Sequence, residues 1–557
     1  MSSFIAGLLQ VVILLVLLAA VYVPFGDYMA RVYTSAKHWR VERLIYRLVR
    51  VDQDAEQRWT VYAAGVLGFS FASLIVLYLL QRIQQWLPLG FGRGVNGNTI
   101  PPSMAFNTAA SFVSNTNWQS YVPETTYGHA VQMLGLTVQN FVSGAVGMAV
   151  AIALVRGFIR NATDRLGNVW VDITRSITRI LLPISFVFAI VLIALGVTMS
   201  LHSGIAVTGI DGAHNTIALA PAASQETIKE LGTNGGGIFN ANSAHPFENP
   251  NGLSDLIEIF LLLVIPVCLT RTFGVLVKDT RQGTVLLTVM GGLWAALLAV
   301  AWWAETHPNG PATLAAGGAM EGKEVRFGIP SSVLFEISTT GTSTGAVNSA
   351  HDSFTGLGGG MALVNMLLGE VAPGGVGTGL YGILMLAVIA VFLSGLMVGR
   401  TPEYLGKKLG RREVTAAAIS LLTMPTIVLL LAGLAIALPS TGSALGNSGE
   451  HGFSEVLYAY ASGANNNGSA FGGLTATSDF FQSTIGIAML FGRFVPILAV
   501  LVLAGSVAQQ RRVAPGAGTL PTDGVLFGVM VAGTIVILAA LTFFPALGLG
   551  PIAEALV

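Results

Sequence analysis

Four clusters of glycine, asparagine, threonine and serine carry most of the chemistry this sequence offers. They read Ser114-Asn115-Thr116-Asn117-Trp118-Gln119, Gly232-Thr233-Asn234-Gly235-Gly236-Gly237, Thr342-Ser343-Thr344-Gly345-Ala346 and Ala464-Asn465-Asn466-Asn467-Gly468-Ser469. Their useful groups are backbone carbonyls. Extended loops that meet on an axis can present rings of carbonyl oxygen, which replace the hydration shell of a cation. Glycine lets the chain turn those carbonyls inward without a Cβ clash. None of the four clusters contains Lys or Arg, as a cation path requires. A single cluster of this kind is ordinarily just a turn-rich loop, so the case rests on how the four are placed.

Each cluster follows a short helical stretch of about ten residues opened by Ser with Pro or Gly nearby. The stretches run from Pro102-Ser103 to Val113, Ala223-Ser224 to Leu231, Ser331-Ser332 to Thr340, and Ser454 to Ser462. Ser is a good N-cap, and ten residues are too few to cross a bilayer but suit a re-entrant segment. The clusters recur at intervals of about 118, 110 and 122 residues. Asn242-Ser243-Ala244-His245 after the second is echoed by Asn348-Ser349-Ala350-His351 after the third. Repeats on this scale in a membrane chain surround one central site. Each re-entrant helix would aim the negative end of its dipole at an ion there.

The positioning elements are membrane spans. Of 557 residues, 53% are hydrophobic and only 10% are charged, and mean hydropathy is +0.69. A soluble globule could not cover its outside with so few polar groups. Apolar runs near the ~20 residues a span needs occur at 4–24, 61–81, 131–155, 178–200, 256–274, 284–304, 377–399, 414–438, 484–506 and 525–547. The first run has no basic residue before it, so it reads as a span, not a signal peptide. Five alternate connections hold 22 of the 28 Lys and Arg, which puts them inside and both termini outside. The predicted fold is an all-α polytopic membrane protein of ten transmembrane helices forming one domain, 1–557. Four span–re-entrant helix–span repeats (61–155, 176–274, 284–399 and 414–506) surround a central pore, with an extra helix at each end (1–27 and 524–557). Net charge is zero, with no basic bias toward nucleic acid. The single cysteine, Cys268, excludes an intrachain disulfide.

Other residues compete for a role. Arg493 interrupts the ninth span, and an intramembrane charge is a functional candidate; it is placed to project below the filter, with Glu370 as a possible partner. Arg400 ends the seventh span and reads more simply as an inside anchor. The glycine-rich segments 356–360 and 374–379 flank Glu370 and could break the helix there. Gly341-Thr342-Ser343-Thr344-Gly345 matches a nucleophile elbow, but that motif needs a preceding strand, and a re-entrant helix is expected instead. His245 and His351 lack the further ligands of a metal site and read as structural hydrogen bonders.

Longer motifs bring a resemblance. TNWQSY at Thr116–Tyr121, GTNGGGIFNANSAHPFENP at Gly232–Pro250, AHDSF at Ala350–Phe354, GRTPEYLGKK at Gly399–Lys408, HGFSEVLYA from His451 and ANNNGSAF ending at Phe471 resemble the potassium-binding, channel-like subunit (KdpA) family of the bacterial high-affinity potassium-transporting P-type ATPase. The resemblance implies a potassium filter at Asn115-Thr116-Asn117, Thr233-Asn234-Gly235, Ser343-Thr344-Gly345 and Asn466-Asn467-Gly468, with Gln119 at the outer mouth. Arg493, Glu370 and Arg400 are the candidate gating or sub-filter charges, by their placement in or beside the spans. The third triplet is a mild departure within a variable segment of that family. The implied ion is K+ alone, with no covalent cofactor. Potassium would pass sideways through a tunnel into a P-type ATPase catalytic subunit that uses the ATP. A single-span accessory subunit is implied, with a small membrane peptide as a further candidate, in the bacterial plasma (inner) membrane. The chain itself has no phosphate-binding loop of the G-x-x-x-x-G-K-[ST] type and no Asp-Lys-Thr-Gly-Thr motif. The alternative is an autonomous potassium channel or cation symporter of the same superfamily. An intramembrane hydrolase rests on Ser343 alone.

Overall fold

A computed structural model describes residues 3–307, 318–514, 516 and 519–556. In hydrocarbon every backbone N–H and C=O needs an internal partner, and a helix supplies one within its own segment. The apolar runs accordingly form ten helices long enough to cross a membrane. Helix α1 (Ser3–Thr34) is followed by the short amphipathic α2 (Arg40–Leu48). The first repeat comprises α3 (Trp59–Arg82), the re-entrant α4 (Pro102–Val113) and α5 (Val131–Ile159). The second has α6 (Val169–Ala194), re-entrant α7 (Ala222–Leu231) and α8 (Gly252–Val277). In the third, α9 (Thr280–Thr306) and re-entrant α10 (Gly328–Gly341) precede a split second span, α11 (Gly356–Leu367) and α12 (Thr378–Val398). The fourth holds α13 (Arg411–Ala437), re-entrant α14 (Gly449–Asn465) and α15 (Asp479–Gln509), after which come α16 (Val525–Leu549) and the short α17 (Pro551–Leu556).

Burial tells which helices face the axis. The apolar stretches of α5, α8, α12 and α15, the second spans, are 83, 72, 56 and 50% buried. Those of the first spans α3, α6, α9 and α13 are 22, 28, 33 and 17% buried. The second span of every repeat therefore lies inside, and the first faces outward.

All ten expected spans are present, with boundaries moved for identifiable reasons. Helix α6 starts at Val169 rather than 178, because the Asn168 side chain accepts hydrogen bonds from the Trp170 and Val171 amides. The charges that argued for a loop there are neutralised internally: Arg156 pairs with Asp172 (2.8 Å) and Arg179 with Glu42 (2.6 Å). Helix α14 begins five residues earlier than expected, at Gly449. The glycine-flanked break in the third repeat is real, spanning 368–377. An antiparallel hairpin, Gly204–Thr208 with His214–Ala218, was not anticipated; it is largely exposed.

Candidate functional site

The four re-entrant helices end alike. The amides of Thr116, Asn234, Thr344 and Asn467 each donate to the carbonyl five residues earlier, on Ser111, Lys229, Thr339 and Ser462, at 2.9, 2.8, 3.2 and 2.9 Å. The residue before each of them, Asn115, Thr233, Ser343 and Asn466, is left-handed, with φ of 67, 47, 54 and 64°. A left-handed residue followed by a six-to-one hydrogen bond is the Schellman helix end. Asn tolerates this conformation, whereas Thr233 and Ser343 carry a cost of about 1–2 kcal/mol. Thr233 is held there in part by the Val376 amide, which donates to its hydroxyl (3.0 Å). The turn directs these amides back into the helix.

The third residue of each triplet is left-handed again: Asn117, Gly235, Gly345 and Gly468, at φ of 54, 89, 76 and 106°. In an ordinary extended chain successive carbonyls point to opposite sides. Reversing the backbone hand at alternate residues turns them to one side, the arrangement that a ring of carbonyl ligands needs.

Contacts between loops close the ring. A Cβ on Gly235 would fall 1.7 Å from the Thr344 carbonyl oxygen, one on Gly345 2.3 Å from that of Asn467, and one on Gly468 2.0 Å from that of Thr116. Loops two, three and four thus each press a glycine against the middle carbonyl of the next loop. The seam between loops one and two differs, since Asn117 stands where the others have glycine. There Asn115 Nδ2 donates to the Thr233 carbonyl (2.7 Å), while Ser143 Oγ donates to Asn115 Oδ1 (2.7 Å). Asn466 Nδ2 reaches Thr116 Oγ1 (3.0 Å), and Asn467 Nδ2 the Thr339 carbonyl (3.1 Å).

The ring separates two cavities. A vestibule of about 830 Å³ is lined by the third residues Asn117, Gly235, Gly345 and Gly468. Gln119 also lines it and ties loops one and two, donating to the Gly237 carbonyl (3.0 Å) and accepting from the Gly237 amide (3.1 Å). On the far side a smaller cavity of about 170 Å³ is lined by the first residues Ser343 and Asn466, with Glu370 and Gly492.

The break in the third repeat runs beneath the ring. The Gly374 amide donates to the Gly341 carbonyl (2.7 Å), and a Cβ on Gly377 would meet the Gly147 carbonyl of α5 at 2.1 Å. Glu370 lies in this segment, buried, and neither of its carboxylate oxygens has a hydrogen-bond partner among the described residues. Arg493 is 2% exposed, and its Nη2 donates to the Ser143 carbonyl of α5 (3.4 Å). It therefore reaches from the fourth repeat to the first. No ion pair joins Arg493 to Glu370 among the described residues, so the possible pairing is not made. Arg400 requires a second correction. It follows α12, whose 21 residues carry it about 30 Å along the axis at 1.5 Å per residue. It is exposed there, its guanidinium near the Thr519 carbonyl (3.5 Å), and is no part of the sub-filter region.

Two further buried ionic groups, beside the Arg156–Asp172 and Arg179–Glu42 pairs, were hidden in the composition. Lys229 of α7 is fully buried; its ammonium donates to Glu226 (2.8 Å), Ser243 Oγ (2.9 Å) and Glu248 (3.0 Å). Lys323 pairs with Glu305 (2.7 Å) behind the third loop. Glu226 and Glu248 lie in connections that the charge pattern places outside, where composition does not mark them as buried. Their only signal was the i, i+3 spacing of Glu226 and Lys229. His351 is buried and its Nδ1 lies 3.0 Å from the Tyr458 hydroxyl; burial lowers it to about 3, so it is neutral. His245 Nδ1 accepts from the Phe247 amide (3.1 Å). The histidines do not share a metal-binding group among the described residues. Ser343 follows a helix, not a strand, so the elbow context is absent.

Fold and site together define a polytopic α-helical membrane protein with a fourfold-repeated pore loop closed around one axis. Residues 12–556 match the family described as Potassium-transporting ATPase A subunit, KdpA, and the chain belongs to that family. A relative from Rhodococcus erythropolis, a potassium-transporting ATPase potassium-binding subunit, is 64% identical over 564 residues, covering all of both chains. Relatives with the same description from Nocardia farcinica and Streptomyces coelicolor are 62% and 56% identical, again over full length. Among solved structures, the potassium transporter TrkH from Vibrio parahaemolyticus matches with a TM-score of 0.53 at 14% identity. That match covers 90% of this chain and 97% of that one; it speaks to the fold alone.

Proposed function

We propose that this chain binds and selects extracellular K+ at the four-loop ring and passes it to a partner P-type ATPase subunit for ATP-driven uptake. The observation that carries the reading is the fourfold recurrence of one backbone geometry, a Schellman end followed by alternating hand, between an outer vestibule and an inner cavity. Asn115-Thr116-Asn117, Thr233-Asn234-Gly235, Ser343-Thr344-Gly345 and Asn466-Asn467-Gly468 supply the carbonyl ligands, and Gln119 braces the outer mouth. The Lys/Arg-rich connections face the cytoplasm of the bacterial plasma membrane by the positive-inside rule, which leaves both termini outside. Potassium sheds water entering the ring from the vestibule. Below it, the segment around Glu370 and the fixed charge of Arg493 oppose free passage inward, so the ion is available to a partner instead of leaking through. ATP is used by that partner, with a single-span accessory subunit and a small membrane peptide as further components.

The test is potassium flux into liposomes that hold the purified chain alone, compared with the chain purified with its native partners plus ATP. Flux only with partners and ATP supports the proposal. Selective flux through the chain alone would instead make it an autonomous channel or symporter.

A further inference from the structure

The face of α15 turned away from the filter forms one wall of a long apolar groove. Toward the Lys/Arg-rich side, α13 supplies the other wall, and Arg411, Arg412 and Thr415 stand over a space of about 520 Å³. Toward the bilayer centre, α3 and α4 close on it around Phe71, Phe106 and Phe491, leaving about 540 Å³. Val495 and Leu498 line both parts, so the groove is continuous. From Val502 to Phe491 it follows eleven residues of helix, about 16 Å at 1.5 Å per residue, close to half the ~30 Å hydrocarbon core. Arg411 and Arg412 are exposed, and neither has an ion-pair partner among the described residues. The neighbouring acid, Glu413, is turned away and bonded to Gln510 (3.0 Å).

We propose that this groove seats one anionic phospholipid, its phosphate on Arg411 and Arg412 and an acyl chain lying along α15 as far as Phe491. A paired cationic rim over a one-leaflet-long apolar trough fits a charged headgroup with an attached chain. Arg493 leaves the same turns of α15 on the opposite side, toward the filter, and Pro496, which lacks an N–H for the helix ladder, lies within those turns. The lipid thereby braces the stretch of α15 that carries the sub-filter charge. Binding stands independently of the transport reading; only the activity readout depends on it.

The chain is purified with its native partners, washed in detergent, and its retained lipids are counted by mass spectrometry. Wild type and R411K/R412K should keep an anionic phospholipid, while R411Q/R412Q should lose it by about tenfold or more. T415W, which fills the groove but keeps both arginines, should lose it as well. Equal anionic lipid retention in R411Q/R412Q overturns the proposal. So does a cysteine at Val495 that cross-links to a partner subunit, because protein then fills the groove. In vesicles of neutral lipid, adding phosphatidylglycerol should raise potassium-stimulated ATP hydrolysis of wild type but not of R411Q/R412Q. Absence of that hydrolysis in wild type under every lipid would count against the transport reading and leave the binding result intact.

Discussion

Replacing Gly235 by alanine tests the ring most directly, because the structure supplies a matched control. Gly235 and Gly399 are both left-handed, at φ of 89 and 71°. An alanine at either position incurs about 1–2 kcal/mol of backbone strain. They differ in surroundings. Among the described residues nothing lies within 4 Å of a Cβ on Gly399, whereas a Cβ on Gly235 would sit 1.7 Å from the Thr344 carbonyl oxygen. To restore even a 3.0 Å contact the carbonyl must retreat by about 1.3 Å, away from the axis if the ring carries ions. A carbonyl withdrawn from a cation forfeits an interaction comparable to a hydrogen bond with a charged group, about 1.5–3 kcal/mol. That corresponds to about a 10- to 150-fold weaker affinity. Potassium affinity, measured by potassium-stimulated ATP hydrolysis of the complex and by titration of the purified chain, should fall by this amount in G235A and stay unchanged in G399A. Thermal unfolding should show the shared backbone strain in both and a further loss in G235A, where the overlap must also be relieved. Affinity within twofold of wild type in G235A, or an equal loss in G399A, would refute the assignment of the ring as the ion site.

Three further outcomes follow from single features. Arg493→Gln removes the charge beneath the ring and should raise passive potassium leak or alter affinity while the complex still assembles; R493K should retain most wild-type behaviour. Normal leak and transport in R493Q would return the residue to a packing role. Lys229→Met strips the compensating charge from buried Glu226 and Glu248 and should cost about 3–5 kcal/mol of stability, partly recovered in E226Q/K229M; an unchanged melting temperature would show that those carboxylates are already neutral. His451 lies between Asp352 (3.1 Å) and Glu554 (2.8 Å), which hold its imidazole up at about 10 from an ordinary 6.5. The fold therefore favours the protonated ring, and this stabilisation is complete below about pH 6.5 and lost as pH rises through about 10. H451Q should melt lower than wild type near pH 6 and converge with it above about pH 10; a constant gap across that window would exclude the ion pairs as its source.

Repetition decided what could be read from sequence. One Gly/Asn/Ser cluster says little, but four at intervals of about 110 to 122 residues, each behind a short helical stretch, mark the loops, although the expected Ser caps are not formed: none of the four helix starts has a side-chain cap. The ten spans were legible because hydrocarbon admits few backbone solutions. Features present in a single repeat had no such support. Nothing in the identities of Thr233 and Ser343 signals left-handed backbone; their neighbours impose it, and only the comparison with Asn115 and Asn466 reveals the pattern. Glu226, Lys229 and Glu248 have the composition of a solvated face, and tertiary packing alone shows that they are buried together. Pairing Arg493 with Glu370 followed from charge, yet the chain brings Arg493 to a carbonyl of the first repeat. Asn117 is the most instructive exception, because it occupies the position where the other three loops press glycine against a neighbour. The ring is therefore fourfold in hydrogen bonding but not in close packing. Its asymmetric parts, the Asn117 seam, the broken third repeat and the lone cation of the fourth, surround the ring on one side each. The close contacts therefore differ from seam to seam although the helix ends repeat.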